Sequence, residues 1–162
     1  MHPSLVATVN GLGKSVAALV DENPDILKQV LYPNCPNGKQ DLPIHRAAAF
    51  GNTNIIGLCV SREGSNQLER VDASGNTPLL LTIGIDPKLS DPLGTVRCLL
   101  ELGADIEAEN RNGDTLLLLA TKKGNVALVK LLLEEGAKKE NALKLSTSGD
   151  MRRTLMSTQP RV

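Results

Sequence analysis

The residue types nearest to a known chemical motif are a glycine pair followed by a lysine and a serine, Gly11-Leu-Gly13-Lys14-Ser15. A phosphate-binding loop has the pattern G-x-x-x-x-G-K-S/T, in which the glycines let backbone N–H groups surround the phosphates. Here the position five residues before Gly13 is Thr8, and no strand pattern precedes it. We therefore favour a turn between two helices at Gly11. A nucleotide-binding enzyme that uses Lys14 and Ser15 is the alternative.

Side chains for acid–base, nucleophilic or metal chemistry are few. The chain has two histidines, His2 near the N-terminus and His45. Catalysis of this kind needs a nucleophile, a base within reach and a group that orients the base. No Ser, Asp or Glu has a spacing that sets it against a histidine, and no His, Cys and Asp combination has metal-ligand spacing. We expect no catalytic residue, no metal and no cofactor.

Three cysteines, Cys35, Cys59 and Cys98, leave one thiol over in any pairing, and none is part of a C-x-x-C motif. A disulfide framework or a cysteine zinc site is therefore not expected. Cys59 and Cys98 stand in apolar runs, which predicts small buried side chains. No signal-peptide pattern is present, and the apolar stretches are far shorter than the ~20 residues of a membrane span. These features predict an intracellular protein, cytoplasmic or nuclear.

The overall composition narrows the function classes. Of the 162 residues, 18 are Lys or Arg and 18 are Asp or Glu, so the formal net charge is zero. This balance removes the broad attraction to nucleic acid or anionic membranes that a basic protein has. Tyr32 and Phe50 are the only aromatic residues, whereas binding of single-stranded nucleic acid uses several rings. At 41% hydrophobic residues, the chain has enough apolar side chains for a folded core.

The elements that must position these residues follow from an internal repeat. Residues 72–105 and 110–137 each have an Asp or Asn three positions before a glycine and a Thr two positions after it. Each stretch continues with an apolar helix pattern, a turn, a second helix containing Val-x-x-Leu-Leu and a closing Gly-Ala. The apolar residues lie on one side of each helix. A single helix pair therefore cannot bury its own stripe and must stack on the next pair.

This unit resembles the ankyrin repeat, which has about 33 residues and the pattern D-x-x-G-x-T-P-L-H. Leu42-Pro43-Ile44-His45-Arg-Ala47-Ala48 matches T-P-L-H-x-A-A, and weaker copies lie at both ends. The resemblance implies a structural His45 that hydrogen-bonds neighbouring fingers, and an all-α solenoid of helix-turn-helix units with short β-hairpin or loop fingers. It divides a single domain, 1–162, into repeats at 1–36 with an extra linker helix, 37–71, 72–108, 109–137 and 138–157, before a loose tail at 158–162.

The repeat register predicts several local features. Thr77 and Thr115 are expected to cap the first helix of their units, with Pro78 at the first helical position. We expect positive φ values at the glycines that lie between the helices and after the second helix. In the third repeat, Asp86 replaces the glycine between the helices, and about five residues are inserted across 87–92. The two prolines of this insertion predict a fairly rigid loop at the end of the helices that is far from the fingers.

Proteins that resemble ankyrin repeats bind partners in the groove between the finger tips and the exposed side of the inner helices. Carried over position by position, the resemblance implies these partner-binding residues: Lys39, Asp41, Ala49, Phe50, Ser74, Asn76, Ile85, Arg111, Asn112, Asp114, Lys122 and Lys123. Phe50 precedes the turn glycine and is either an exposed anchor or packed on the next repeat or on the extra linker. For Ile85, the choice between an exposed and a packed position is open in the same way. Arg111, Lys122 and Lys123 make the fourth repeat basic, which favours an acidic segment of a partner.

The expected function is therefore a non-enzymatic protein–protein interaction module. It serves either as a small inhibitor or adaptor, or as the recognition part of a larger scaffold. The expected partner is another protein, not a membrane, and the chain is expected to be a monomer. The segment after Ala137 has six basic residues against two acidic ones. Weak binding of nucleic acid or of an acidic partner by this tail is a further alternative, although a basic cap on the last repeat is preferred.

Overall fold

The computed structural model describes residues 42–145 and 149–158. The predicted first repeat and its linker helix lie outside these residues. The α-helices, in chain order, are α1 Pro43–Ala49, α2 Thr53–Glu63, α3 Pro78–Leu81, α4 Pro92–Glu101, α5 Leu116–Lys123, α6 Val126–Glu134, α7 Glu140–Leu145 and α8 Gly149–Ser157. Two 3-10 helices, Ser65–Glu69 and Thr82–Gly84, follow α2 and α3.

The helices form two rows because each unit is a helical hairpin stacked on its neighbours. Helices α1, α3, α5 and α7 follow one another in an inner row, in which the 3-10 turn after α3 provides the contact with α5. Helices α2, α4, α6 and α8 follow one another in an outer row. Each inner helix also packs on the outer helix of its own unit. This is the all-α solenoid that the repeat predicts, and no strand is present in residues 42–145 and 149–158.

The core is an aliphatic layer between the two rows. The sequence spacing places these side chains on the facing sides of the helices, and one continuous cluster results. Its largest members with almost no exposed surface are Ile44, Ile55, Ile56, Leu68, Leu79, Leu80, Leu99, Leu116, Leu117, Leu128, Leu132 and Leu155. Burial of this apolar surface is the main stabilising contribution to the stack, at ~25 cal/mol per Å² removed from water.

The predicted helix caps are present. The Thr77 hydroxyl accepts a hydrogen bond from the backbone N–H of Leu80 at 3.5 Å, and the Thr115 hydroxyl accepts one from Leu118 at 3.3 Å. Between α5 and α6, Gly124 has φ = 72°, in the left-handed region that only glycine adopts without strain. The sequence predicted both the caps and the positive φ.

The fingers are compact turns. In the first described finger, one oxygen of the Asp72 carboxylate accepts from the backbone N–H groups of Ser74 and Asn76, both at 2.8 Å. Asn110 repeats this arrangement in the next finger, accepting at 2.9 and 3.1 Å from the groups two and four positions later. A side-chain oxygen in this position replaces the hydrogen bonds that a β-ladder would supply. The loop form of the finger is therefore the one that the described residues adopt.

The third unit differs from its neighbours where Asp86 replaces the usual glycine. Its inner helix ends as a 3-10 turn, and Asp86 then starts a closed loop by accepting hydrogen bonds from the backbone N–H groups of Leu89 and Ser90 at 3.0 and 3.1 Å. The Ser90 hydroxyl donates to the carbonyl oxygen of Gly51 at 3.2 Å. Because Gly51 lies in the turn between α1 and α2, the insertion is at the end of the helices opposite the fingers, as predicted.

Candidate functional site

His45 has a structural role. The side chain is fully buried. Its Nδ1 accepts a hydrogen bond from the backbone N–H of Leu42 at 3.2 Å, and its Nε2 lies 2.8 Å from the carbonyl oxygen of Arg70. An acceptor at Nδ1 and a donor at Nε2 define the neutral imidazole with its proton on Nε2. Both ring nitrogens are therefore engaged, and the histidine joins its own unit to the segment that precedes the next finger.

The two described thiols are unpaired and of low reactivity. Cys59 is buried, and burial, followed by the nearby charge of Glu63, raises its pKa to about 12. Cys98 is half-buried, and burial, followed by the charge of Glu101, raises its pKa as well. A thiol whose pKa is raised is a poor nucleophile and a poor metal ligand near neutral pH. The predicted burial is therefore confirmed for Cys59, whereas Cys98 is only partly buried.

Several predicted residues lie outside the described part of the chain. They are Lys14 and Ser15 of the phosphate-loop alternative, the groove residues Lys39 and Asp41, and Cys35. Across residues 42–145 and 149–158, no group of three or more His, Cys, Asp or Glu side chains is arranged to hold a metal ion. No helix in these ranges has both the length and the hydropathy of a membrane span.

Phe50 is the most prominent predicted groove residue that the structure leaves in solvent. It is 66% exposed, although it follows the last residue of α1, Ala49, which is half-buried. The guanidinium carbon of Arg46 lies 5.6 Å from the centre of the ring. This distance is within the range of a cation–π contact, which holds the aromatic side chain against the inner helix. Among the described residues, Phe50 is therefore exposed and is not packed on the next repeat, whereas the predicted linker lies outside the described residues.

Ile85 is the predicted groove residue that requires correction, because it is buried, with 8% of its surface exposed. It occupies the repeat position equivalent to Phe50 and Lys123, which are exposed. The difference arises because the inner helix of this unit ends as a 3-10 turn, and Ile85 then leaves in an extended conformation with φ = −64° and ψ = 128°. Its side chain therefore contributes to the core and not to the groove.

Asp114 and Lys122 form an ion pair within the fourth unit. The lysine Nζ lies 2.6 Å from Asp114 Oδ1, and the carboxylate side chain is 12% exposed. Asp114 was predicted as a groove residue, but its burial and its partner make it a contact between the finger and α5. The pair also neutralises Lys122, so the basic character of this part of the groove does not come from that lysine.

Asn76 likewise holds the fingers in place. Its side-chain nitrogen donates to the Asp72 carboxylate at 3.3 Å, and its side-chain oxygen accepts from Asn110 in the next finger at 3.4 Å. The tip residues Ser74, Arg111 and Asn112 are exposed. Successive fingers are therefore linked through their bases, while their tips remain in solvent.

Arg111 and Lys123 are two exposed cations at positions of the predicted groove. Neither has an ion-pair partner among the described residues. Lys123 Nζ donates to the carbonyl oxygen of Ile83 at 3.0 Å, which is the C-terminal end of the 3-10 turn in the preceding unit. A cation is favoured there by the exposed carbonyl groups of a helix end. The structure therefore brings an exposed aromatic ring and two cations to the inner row.

The sequence reasoning missed two glutamates, each of which links the segment before a finger to the loop after the outer helix of the hairpin that follows. Glu69 accepts a hydrogen bond from the backbone N–H of Asp105 at 2.9 Å, and Glu107 accepts one from Lys138 at 2.8 Å. Both glutamates stand three positions before the Asp or Asn that opens a finger. That shared register is the sequence signal that could have identified them.

Two open clefts in the described part of the chain lie on the outer row, away from the groove. One, of about 290 Å³, lies between α4 and α6 and includes Arg97 and Glu135, which form an ion pair at 3.3 Å. The other, of about 440 Å³, lies between the start of α2 and α4 and includes Ser90 and Cys98. Both clefts are bordered partly by charged side chains and lie where neighbouring outer helices stack.

Comparison with known proteins gives a consistent family relationship. The sequence pattern described as ankyrin repeats, three copies, matches residues 89–158. A candidate E3 ubiquitin-protein ligase of Arabidopsis thaliana is 42% identical over 89 residues, which are 53% of this chain and 22% of that protein. Inversin of Danio rerio is 34% identical over 94 residues, which are 58% of this chain and 8% of inversin. The chain thus spans less than a quarter of the length of these two relatives.

Proposed function

Because this chain belongs to the ankyrin-repeat family, whose repeats are protein–protein interaction modules, we propose that it is a non-catalytic module with its binding surface on the inner row. The surface consists of the finger tips and the exposed ends of α1 and α5. A stack in which each unit is fixed by its neighbours is already ordered before binding. Little conformational entropy is then lost on association, which favours affinity.

The observation that supports this proposal is the chemistry of the exposed inner row. Phe50 is 66% exposed at one end, and Arg111 and Lys123 lie in the fourth unit without acidic partners among the described residues. Aromatic and arginine side chains are the commonest interface anchors. The expected partner is a protein segment that combines an apolar side chain with carboxylates.

We further propose that the chain acts inside the cell, as a small inhibitor or adaptor or as the recognition part of a longer scaffold. The unpaired thiols of Cys59 and Cys98 fit a reducing compartment. The short coverage of the relatives, 22% and 8% of their lengths, fits a module that is used within larger proteins.

The experiment that tests the groove is an affinity capture with wild-type protein and matched variants, read by quantitative mass spectrometry. Lys122→Glu would place a second carboxylate beside Asp114, so the sharper charge variant is Arg111→Glu with Lys123→Glu. This pair and Phe50→Ala are expected to lower the recovery of specific partners about tenfold, since an anchor residue contributes ~1–2 kcal/mol or more.

The matched control is Lys130→Glu, which makes the same charge change on the outer helix α6, where Lys130 is exposed. It should leave recovery unchanged. Circular dichroism melts of all variants show whether the fold is intact. Equal recovery by folded groove variants and by wild type would contradict the proposal.

A further inference from the structure

Asn112 and Gly113 form the tip of the finger in the fourth unit, and they are an Asn-Gly pair. The same pair occurs at 10–11 and 37–38, outside the described residues. Both residues of the tip are exposed. An asparagine before a glycine loses its side-chain amide more readily than other asparagines, because glycine has no Cβ atom to obstruct attack by its backbone nitrogen. The tip therefore combines a reactive pair with access to water.

The reaction at such a pair converts an amide to an acid. The backbone nitrogen of Gly113 attacks Cγ of Asn112, a cyclic imide closes, and the bond from Cγ to the side-chain nitrogen breaks. That nitrogen leaves as ammonia and takes up the proton that the Gly113 nitrogen loses. Water then opens the imide at either of its carbonyl carbons, which leaves aspartate or isoaspartate at position 112. Water is the only co-reactant, and nothing is oxidised or reduced.

Two hydrogen bonds to Asn110 hold the tip closed. The Gly113 N–H donates to the Asn110 carbonyl oxygen at 2.9 Å, and the Asn112 N–H donates to Asn110 Oδ1 at 2.9 Å. The Gly113 nitrogen must leave the carbonyl oxygen before it can attack. Because both tip residues are exposed, breaking these bonds brings no buried apolar side chain into water. Opening of the tip is therefore a local event of low free energy and does not require unfolding of the stack.

The base of the same finger is held separately from its tip. The Asn110 N–H donates to the Asp114 carbonyl oxygen at 3.2 Å, and the Asp114 carboxylate pairs with Lys122 of α5 at 2.6 Å. On its other side, the Asn110 side chain donates to Asn76 of the preceding finger at 3.4 Å. The tip can therefore open while the base stays fixed to α5 and to the preceding finger.

The preceding finger has the same fold with a different residue at this position. The Asp72 carboxylate accepts from Ser74, and the Asp72 carbonyl oxygen accepts from Gly75 at 3.0 Å. Ser74 thus stands where the next finger has Asn112. A serine side chain has no amide to lose, so this finger cannot undergo the reaction. A serine at position 112 is therefore compatible with the finger and provides a matched control.

The product changes the chemistry of the groove. Asn112 is a predicted groove residue beside Arg111, which is exposed and has no ion-pair partner among the described residues. A carboxylate at position 112 would place a negative charge next to this cation and would weaken its attraction for the carboxylates of a partner. The isoaspartate form also adds a carbon atom to the backbone before Gly113. The Gly113 N–H is then displaced from the Asn110 carbonyl oxygen.

We propose that Asn112 is a site of spontaneous deamidation in the folded protein, and that the reaction lowers the affinity of the fourth unit for an acidic partner as the protein ages. The chemical step depends only on the finger. The effect on binding rests on the proposed function, because it requires the groove to be the binding surface. The two parts are therefore tested separately.

The first test follows the reaction in the full chain without a partner. The protein is incubated at pH 8, and peptide mass spectrometry with separation of the isoaspartate form measures the product at each asparagine. Asn112 should convert about tenfold faster than Asn66, a difference of ~1.4 kcal/mol in activation free energy. Asn66 is the control because it is also exposed but is followed by Gln67. Equal rates at the two asparagines would overturn the proposal.

Leu132→Ala distinguishes local opening from unfolding. Leu132 is fully buried in α6, so its truncation increases the unfolded population without changing a residue of the finger. If the tip opens locally, the rate at Asn112 should stay within about twofold of the wild-type rate. A rate that rises in proportion to the unfolded population would place the reaction in the unfolded chain and would overturn the proposal.

The second test compares fresh and aged protein in the affinity capture. The probe is the set of proteins that wild type recovers and the Arg111→Glu with Lys123→Glu variant does not. Fully converted wild type and fresh Asn112→Asp should recover this set about threefold less well, the range expected for one exposed charge. Asn112→Ser should recover it equally before and after ageing.

The outcomes separate the effect on binding from the proposed function. Equal recovery of the set by fresh and converted wild type would overturn the effect on binding and leave the groove standing. An empty set would overturn the groove and the effect on binding together. The rates measured without a partner decide the chemical step in either case.

Discussion

Among single residues, Gly51 shows how closely neighbouring units approach. Its φ of +71° lies in the left-handed region, and a Cβ atom built there would be 2.8 Å from Ser90 Cβ and would also overlap Ser90 Oγ. The glycine therefore has two roles. It allows the turn between α1 and α2, and its lack of a side chain leaves room for Ser90 of the inserted loop. Any side chain would have to displace the loop as well as strain the backbone.

We predict that Gly51→Ala destabilises the protein by ~1–3 kcal/mol, because backbone strain and the clash with Ser90 act together. The midpoint and slope of urea denaturation measure the change. Gly57→Ala is the control, since Gly57 lies inside α2 and a Cβ atom added to it would have nothing within 4 Å. That change should stabilise the helix by ~0.5–1 kcal/mol. Equal effects of the two substitutions would contradict the described approach of the loop.

The thiols give a prediction about pH. Burial raises the pKa of Cys59 to about 12 from an ordinary value of 9.0, so the folded protein holds this proton more tightly than the unfolded chain. The resulting stabilisation is complete below pH 9 and is lost as the pH rises toward 12. At pH 8, iodoacetamide should modify Cys98 faster than Cys59. Because Cys59 is buried, it should react only when the protein unfolds. Peptide mass mapping resolves the two sites, and rapid native labelling of Cys59 would refute the assignment.

Residue-level prediction from the sequence succeeded where the interaction is local. Thr77 and Thr115 cap helices because their hydroxyls reach N–H groups three positions later, a distance that the chain itself fixes. It failed for Asp114, whose ion pair with Lys122 depends on how the finger folds back over α5. It also failed for Ile85, since helical spacing does not reveal that the helix will tighten into a 3-10 turn.

Among helices, α6 illustrates what holds a unit to its neighbours. It contacts α4 and α8 within the outer row and α5 within its own hairpin. Leu132, on its inner side, is fully buried in the aliphatic layer. The sequence predicted this helix and its apolar face, because Val126, Val129, Leu132 and Leu133 recur at helical spacing. One member of that series, Val126, is nevertheless exposed, since it stands in the first turn, beyond the packed part of the stack.

We predict that Leu132→Ala lowers the free energy of unfolding by ~2–5 kcal/mol, the range for removing a buried leucine side chain. The same substitution at Leu89, which is 84% exposed, should change it by less than ~0.5 kcal/mol. Chemical denaturation of both variants under one set of conditions measures the difference. A comparable loss at Leu89 would show that the inserted loop packs into the fold and is not an exposed element.

For the molecule as a whole, the stacking of units determines how stability is distributed. Helices α5 and α6 have described units on both sides, whereas α7 and α8 have a described unit on one side. In a linear array, each unit is stabilised by its own packing and by its interfaces with its neighbours. The hydrogen bonds of Glu69 to Asp105 and of Glu107 to Lys138 add a repeated link between the segments that flank successive hairpins.

We predict that backbone amides of α5 and α6 exchange with solvent more slowly than those of α7 and α8, because units with one interface open at a lower free energy. Hydrogen–deuterium exchange read by peptide mass spectrometry measures this gradient. Glu107→Gln, which weakens the hydrogen bond to the backbone N–H of Lys138 just before α7, should speed exchange in α7 and α8 more than in α5. Uniform protection along the stack would indicate one cooperative block instead of coupled layers.

Gly75 carries a consequence for the shape of the array. A Cβ atom there would lie 2.6 Å from Arg111 Cγ and 3.0 Å from the Arg111 backbone nitrogen. Two hairpins nest at this point because one methyl group is missing. A side chain at Gly75 would push the two hairpins apart on the finger side and would tilt all later hairpins by the same angle. The displacement of each later hairpin would therefore increase with its distance from Gly75. The absence of a side chain at Gly75 thus helps to set the curvature of the surface that faces a ligand.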